Sequence, residues 1–172
     1  MGKTPGQKAA RVKGFKMSES EILRKIAVIF VTDVVGFSTL MAQNEELTLR
    51  SFRSCKEILD NLFEEHSGRI FNTAGDSVLA EFPSAVSAVI CAVEFQKLIK
   101  ARNASVTNAA QMQFRIGLNM GDVIIEGTNL YGDGVNVAAR LEALSQAGGV
   151  CLSKSIHDFV SEKVDLGFQD IG

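Results

Sequence analysis

The chain has 172 residues, of which 46% are hydrophobic and 22% charged, with two prolines; this is the make-up of one globular domain with a real core, and it excludes a disordered or fibrous chain. Eighteen basic against twenty acidic residues leave a formal charge of -2, which gives no global pull toward nucleic acid. Cys55, Cys91 and Cys151 have no paired spacing, and with His66 and His157 the only histidines they form no metal-ligand cluster by spacing, so a reducing, cytoplasmic compartment is expected.

Residues 1–18 read as a basic leader. Lys3, Lys8, Arg11, Lys13 and Lys16 fall there without one acid, and no helical or strand period runs through them, so the segment is expected to be a flexible arm. Beyond Phe15 it lacks the aromatics that a nucleic-acid arm interleaves with its charges, so no nucleic-acid partner is expected. No apolar run approaches the roughly 20 residues of a membrane span, so no membrane segment is expected in this chain. Residues 19–172 are expected to form a single domain.

"KIAVIFVTDVVGF", from Lys25, is nearly unbroken in apolar character and predicts a strand buried on both faces that ends near Asp33. Across "STLMAQNEELTLRSFRSCKEILDNLFEEHSG", from Ser38, Leu49, Phe52, Cys55, Leu59 and Phe63 recur at spacings of three and four, which predicts one long amphipathic helix stopped by Gly68. Residues 69 to 82 carry two strand-like runs around Gly75-Asp76, a hairpin signal. Pro83-Ser84 opens a second long helix, with Val86, Val89, Ile90 and Val93 as its predicted buried face. Met112 to Met120 alternate apolar and polar, and Gly121-Asp122 predicts a second hairpin into "VIIEG". A third helix is expected over about 133–145, with Val135, Ala138, Ala139 and Leu141 inward. "VCLS" and "LGF" read as short edge strands around a small helix near Ile156–Val160. This order predicts an α+β sandwich, with helices packed on a mostly antiparallel sheet.

Asp33 closes a strand otherwise free of charge, and Asp76 sits in a turn. A carboxylate at the rim of a buried strand is costly unless it is paired or holds a cation. Read alone, Asp33 is better explained as a cap for the helix start at residues 35 to 38 and Asp76 as an ordinary turn residue. Should the first strand pair with the hairpin, the two carboxylates stand side by side. They would then adjoin a glycine-opened helix start of the kind that binds phosphate, an arrangement able to hold divalent cations for phosphoryl or nucleotidyl transfer.

"FVTDVVGFSTLM", "GRIFNTAGDSVLAEFPS" and "RIGLNMGDVIIEGTNLYGDGVNVAARLEALSQAGGVCLS" together resemble the catalytic domain of the class III nucleotidyl cyclases, especially bacterial adenylate cyclases, in order and spacing. The resemblance implies a ferredoxin-like, palm-type sandwich. It implies that Asp33, Asp76 and the Val34 carbonyl hold two divalent cations, Mg2+ or Mn2+, and that the amides of Val35, Gly36, Phe37 and Ser38 surround the triphosphate. It further implies that Asn136 orients the ribose and Arg140 stabilises the transition state. Residues four apart share one helix face, which agrees with a common substrate for that pair. The substrate implied is a nucleoside triphosphate, ATP favoured, cyclised at composite sites of a homodimer.

Two departures stand out. Where such adenylate cyclases read the base with Lys and with Asp or Thr, this chain has Asn72 and Asn129. An amide both donates and accepts, so Asn72 can serve adenine N1 and Asn129 N6, while the flipped amides would suit guanine. The family also continues past "FQDIG" through a strand pair with a phosphate-contacting Lys, so the domain is expected to be cut short at its C-terminal strands.

Overall fold

The computed structural model describes residues 9–14 and 22–172. Residues 9–14 are exposed and carry neither helix nor strand; the rest of the expected leader lies outside the described residues.

The central strand β1 (Arg24–Val34) is flanked by β3 (Ser77–Phe82) and β4 (Phe114–Glu126), antiparallel to both. With β2 (Arg69–Ala74) and β5 (Asn129–Tyr131) the order is β2-β3-β1-β4-β5, and β6 (Val150–Leu152) runs parallel to β4. The apolar run of β1 is buried because both faces of the sheet are covered. Val28, Phe30 and Val34 meet α2 (Glu45–Glu65) and α3 (Ala85–Ala104) on one side, and Ala27, Ile29 and Val31 meet α4 (Asp133–Leu144) on the other. This is the α+β sandwich that the element order predicts.

Four local expectations are corrected. The single helix after β1 is two, α1 (Phe37–Gln43) and α2, because Asn44 adopts an extended backbone and accepts from Leu47 N–H as an N-cap. The inward face of α3 is Ala85, Ala88, Val89, Cys91 and Ala92 with Phe95 and Ile99; of the expected positions Val89 is buried, Val86 and Val93 are half-buried and Ile90 is exposed, because the alanines set the line along which the helix lies against the sheet. On α4 the buried positions are Gly134, Val135, Ala138 and Glu142, with Ala139 exposed. "LGF" forms no strand: Phe168 packs edge-on against His157, 4.9 Å between centroids, beyond α5 (Lys154–Val160).

The fifth correction is topological. Gly121-Asp122 is no turn but the interior of β4, paired with Ala27 and Ile26 of β1. β1 is 11 residues long and engages β4 from Arg24 to Val34, so an uninterrupted ladder outweighs the local turn preference. The glycine that closeness requires here is Gly134 of α4, where a Cβ would stand 2.7 Å from Asp122 O and 3.1 Å from the Gly121 carbonyl carbon. The hairpin comes later, where Gly127 takes a φ of 61° between β4 and β5.

Glu81 on β3 fixes the edge of the sheet, with Lys25 at 2.6 Å and Arg69 at 2.9 Å. Burial alone would push its carboxyl up, but the two cations outweigh burial and hold it below its ordinary value. Since the folded state has the lower value, the stabilisation is complete above the unfolded value and is lost as pH falls through the folded one. Glu81→Gln should therefore lower the melting temperature by a few degrees at pH 7 and leave it unchanged in acid, where both side chains are neutral; equal losses at both pH values would contradict this.

Candidate functional site

The C-terminal end of β1 gathers charge from three strands. Thr32 lies opposite Val78, and this register brings the hairpin residue Asp76 beside Val34, whose N–H donates to Asp76 Oδ2 at 2.8 Å. On the other side Arg115 of β4 lies opposite Asp33. Its Nη2 stands 3.1 Å from Asp33 Oδ2 and 3.3 Å from Oδ1, with Nε also 3.3 Å from Oδ1. Asp33 and Asp76 are thus neighbours at one rim. The donors here are hard carboxylate oxygens, the set that suits Mg2+ or Mn2+ rather than a thiophilic metal. Among the described residues Asp76 Oδ1 has no partner, whereas both oxygens of Asp33 are engaged by Arg115.

Beside the carboxylates the chain turns through Gly36, whose φ of 66° is left-handed, into α1. Val35 N–H is already given to Gln113 O at 2.8 Å. The open amides are therefore those of Gly36, Phe37 and Ser38, which have no protein acceptor among the described residues. Phe37 stacks edge-on against Phe52, 5.7 Å between centroids, and so anchors this turn on α2.

Asn136 and Arg140 sit on α4, exposed, with no side-chain hydrogen bond or ion pair among the described residues. Glu142, two positions beyond Arg140, faces the opposite way: its side chain is 9% exposed and its Oε1 lies 3.2 Å from Arg115 Nε. Residues two apart on a helix point about 200° apart, so the face that gives Glu142 to Arg115 turns Arg140 away from the Asp33 of its own chain. Burial, reinforced by the Asp33 carboxylate, pushes the Glu142 carboxyl up to about 8 against the pull of Arg115. α4 comes this close because Gly117 of β4 has no side chain; a Cβ there would stand 2.3 Å from Ala138 O and from Glu142 N. The sequence reading missed Arg115 and Glu142: Glu142 continues the Val135, Ala138 stripe of buried positions, but nothing in that pattern names its partner, and Arg115 carries no such signal.

Asn72 is exposed on β2, where a bulge separates Ile70 from Asn72 in the pairing with β3. Asn129 is committed locally, its Oδ1 accepting from Leu130 N–H at 2.8 Å and its Nδ2 donating to the Tyr131 hydroxyl at 2.9 Å. Flipping that amide would set an NH2 against an N–H, so the flipped pairing with guanine is disfavoured at Asn129. Arg69 ties the strand of Asn72 to the turn before Asn129 through Thr128 O at 2.7 Å.

Two other features lie outside this rim. Glu65, His66 and Glu94 converge closely enough to share one ion, with His66 Nε2 2.9 Å from Glu94 Oε2. Spacing could not show that cluster because Glu94 comes from a different helix. A cavity of about 490 Å³ is lined by Glu45, Glu46, Leu49, Arg50 and Arg53 and contains none of the rim residues. No helix among the described residues is long and apolar enough to cross a membrane.

The family model described as "Adenylate and Guanylate cyclase catalytic domain" matches residues 18–171. A protein of Rhizobium meliloti named "Putative adenylate cyclase 3" is 43% identical over 157 residues, which is 91% of this chain and 27% of that protein. The receptor-type guanylate cyclase gcy-23 of Caenorhabditis elegans is 26% identical over 150 residues, 78% of this chain and 14% of that protein. The chain thus spans about a quarter of the first relative and less of the second. Among solved structures, an adenylate/guanylate cyclase/hydrolase from Silicibacter pomeroyi superposes with a TM-score of 0.80 at 36% identity, covering 88% of this chain and 89% of that one.

Proposed function

This chain belongs to the family of adenylate and guanylate cyclase catalytic domains, and on that premise we propose that it is an adenylate cyclase, forming 3′,5′-cyclic AMP and pyrophosphate from ATP at the interface of a homodimer. The observation that carries the reading is the meeting of Asp33 and Asp76 at one strand end, beside the open amides of Gly36 to Ser38.

Two divalent cations, Mg2+ or Mn2+, held by Asp33, Asp76 and the Val34 carbonyl would lower the pKa of the ribose 3′-hydroxyl and offset the phosphate charge. The hydroxyl attacks the α-phosphorus in line and pyrophosphate leaves. Gly36, Phe37 and Ser38 present N–H groups to the triphosphate, and Val35 holds that turn to Gln113. Asn136 orients the ribose. Arg140 meets the charge that develops on the transferring phosphoryl group, for which its planar fork of donors is suited. Since Arg140 faces away from its own Asp33, the carboxylates of one subunit are completed by Asn136 and Arg140 of the other, which gives two equivalent composite sites.

Asn72 donates to adenine N1, and Asn129, its amide oriented by Leu130, accepts from N6. A second reading, guanylate cyclase, is favoured by the two neutral amides in place of the Lys and Asp or Thr expected of an adenine site. Turnover of ATP and of GTP with Mg2+ and with Mn2+, resolving cyclic nucleotides from hydrolysis products, decides between them. Cyclic AMP in excess is expected. Cyclic GMP in excess would promote the second reading, and absence of both from a folded dimer that carries the family's C-terminal strand pair would overturn the cyclase reading.

A further inference from the structure

Arg115 stands between two carboxylates and is bonded to one. Its Nε and Nη2 reach Asp33 over 3.1 to 3.3 Å, long for charge-assisted bonds, and Nη1 reaches Ala143 O at 3.4 Å. Glu142 Oε1 is 3.2 Å from the same Nε, yet the N–H points at Asp33 and leaves Oε1 a buried oxygen without a hydrogen-bond partner among the described residues. Nine-tenths burial of that side chain keeps water from replacing the missing donor. Such an orphan costs free energy unless another state of the site satisfies it.

We propose that Glu142 is a positioning residue that takes over Arg115 when divalent cations occupy Asp33. This rests on the reading of Asp33 as a cation ligand. Cations and Arg115 compete for the same Asp33 oxygens, since Arg115 now contacts both. Displaced with no second acceptor, the guanidinium Nε–H would lose its partner. Glu142 removes that penalty, because a small rotation turns Nε–H from Asp33 Oδ1 onto Glu142 Oε1, 3.2 Å away and able to accept with its carboxyl neutral or ionised. The orphaned oxygen gains its donor in the loaded state, and the docking of α4 at Gly117 keeps it within reach. Glu142 thereby strengthens cation binding without touching the cations.

The test is Mn2+ binding to the full chain, followed by the EPR signal of the free ion without nucleotide. Glu142→Leu, which keeps the buried volume and removes the acceptor, should bind Mn2+ about tenfold more weakly than the wild type, with unchanged melting temperature and dimerisation. Glu142→Gln, which keeps an acceptor, should fall between them and carries the test if the leucine variant does not fold. On addition of Mg2+, the Arg115 Nε proton should stay protected from water exchange in the wild type and become exposed in Glu142→Leu. Equal Mn2+ affinity in folded wild type and variants, or equal protection of that proton, would overturn the handover and leave the metal reading standing. A wild type without saturable Mn2+ binding, or an Asp33→Asn protein that binds as well, would overturn the metal reading and this inference with it.

Discussion

Mixing Asp76→Asn protein with Arg140→Ala protein should restore cyclic nucleotide formation that neither variant has alone. Each by itself should lose on the order of 10³-fold or more in turnover, since each lacks one part of a unit that acts together. The asparagine at position 76 still accepts from Val34 N–H, so the hairpin keeps its place while a metal-binding charge is removed. Arg140 is exposed and unpartnered among the described residues, so its truncation leaves the fold intact. Exchange of subunits then yields dimers with one doubly damaged site and one intact site. Random association makes half of the dimers mixed, and each mixed dimer has one working site of two, so recovery should approach about a quarter of the wild-type rate. Verified heterodimers without activity would overturn the composite arrangement. A fully active Asp76→Asn protein would overturn the metal assignment.

Gly117→Ala should be the most damaging single methyl in the chain. The added Cβ would stand 2.3 Å from Ala138 O and Glu142 N and 2.8 Å from Glu142 Cα, all backbone atoms of α4 that no rotamer change can move aside. The helix must lift, at a cost of about 3 kcal/mol, which corresponds to a fall of roughly 10 °C in melting temperature for a domain of this size. Function should fall further than stability. α4 carries Asn136 and Arg140 outward and Glu142 inward, and a displacement near 1 Å can cost about 10²-fold in rate. Turnover measured well below the variant's melting temperature separates the two effects. A variant that melts within a degree of the wild type would show that α4 is not seated as described.

Gly75-Asp76 and Gly121-Asp122 are the same dipeptide with different fates, and they mark how far the sequence could be read. The first is a turn and the second lies mid-strand. Local chemistry cannot separate them, because the difference is the length of β1, which still offers partners when the chain reaches Gly121. Where structure follows from nearby residues, the reading held: the doubly buried β1, the first hairpin, and the Ser84 start of α3. Asp33 and Asp76 were legible as a pair because each ends its own element, and one strand pairing joins them. Arg115 and Glu142 were not, since their importance lies in a contact between β4 and α4 that depends on an absent side chain at Gly117. The break at Asn44 was overlooked because no glycine or proline separates Ser38 from the apolar period that begins at Leu49, while the cap is one side-chain oxygen accepting from Leu47.

The Tyr131 hydroxyl that receives Asn129 Nδ2 belongs to the chain's one tyrosine, and there is no tryptophan. Tyrosine emission from this chain therefore comes from a single phenol, half exposed and joined directly to the amide proposed to read the base. Whatever draws Asn129 toward a nucleotide changes the hydrogen bonding of that phenol. Where Asn129 reads the base as proposed, the domain carries an intrinsic optical reporter at that position, and nucleotide binding there can be followed without a label and apart from turnover.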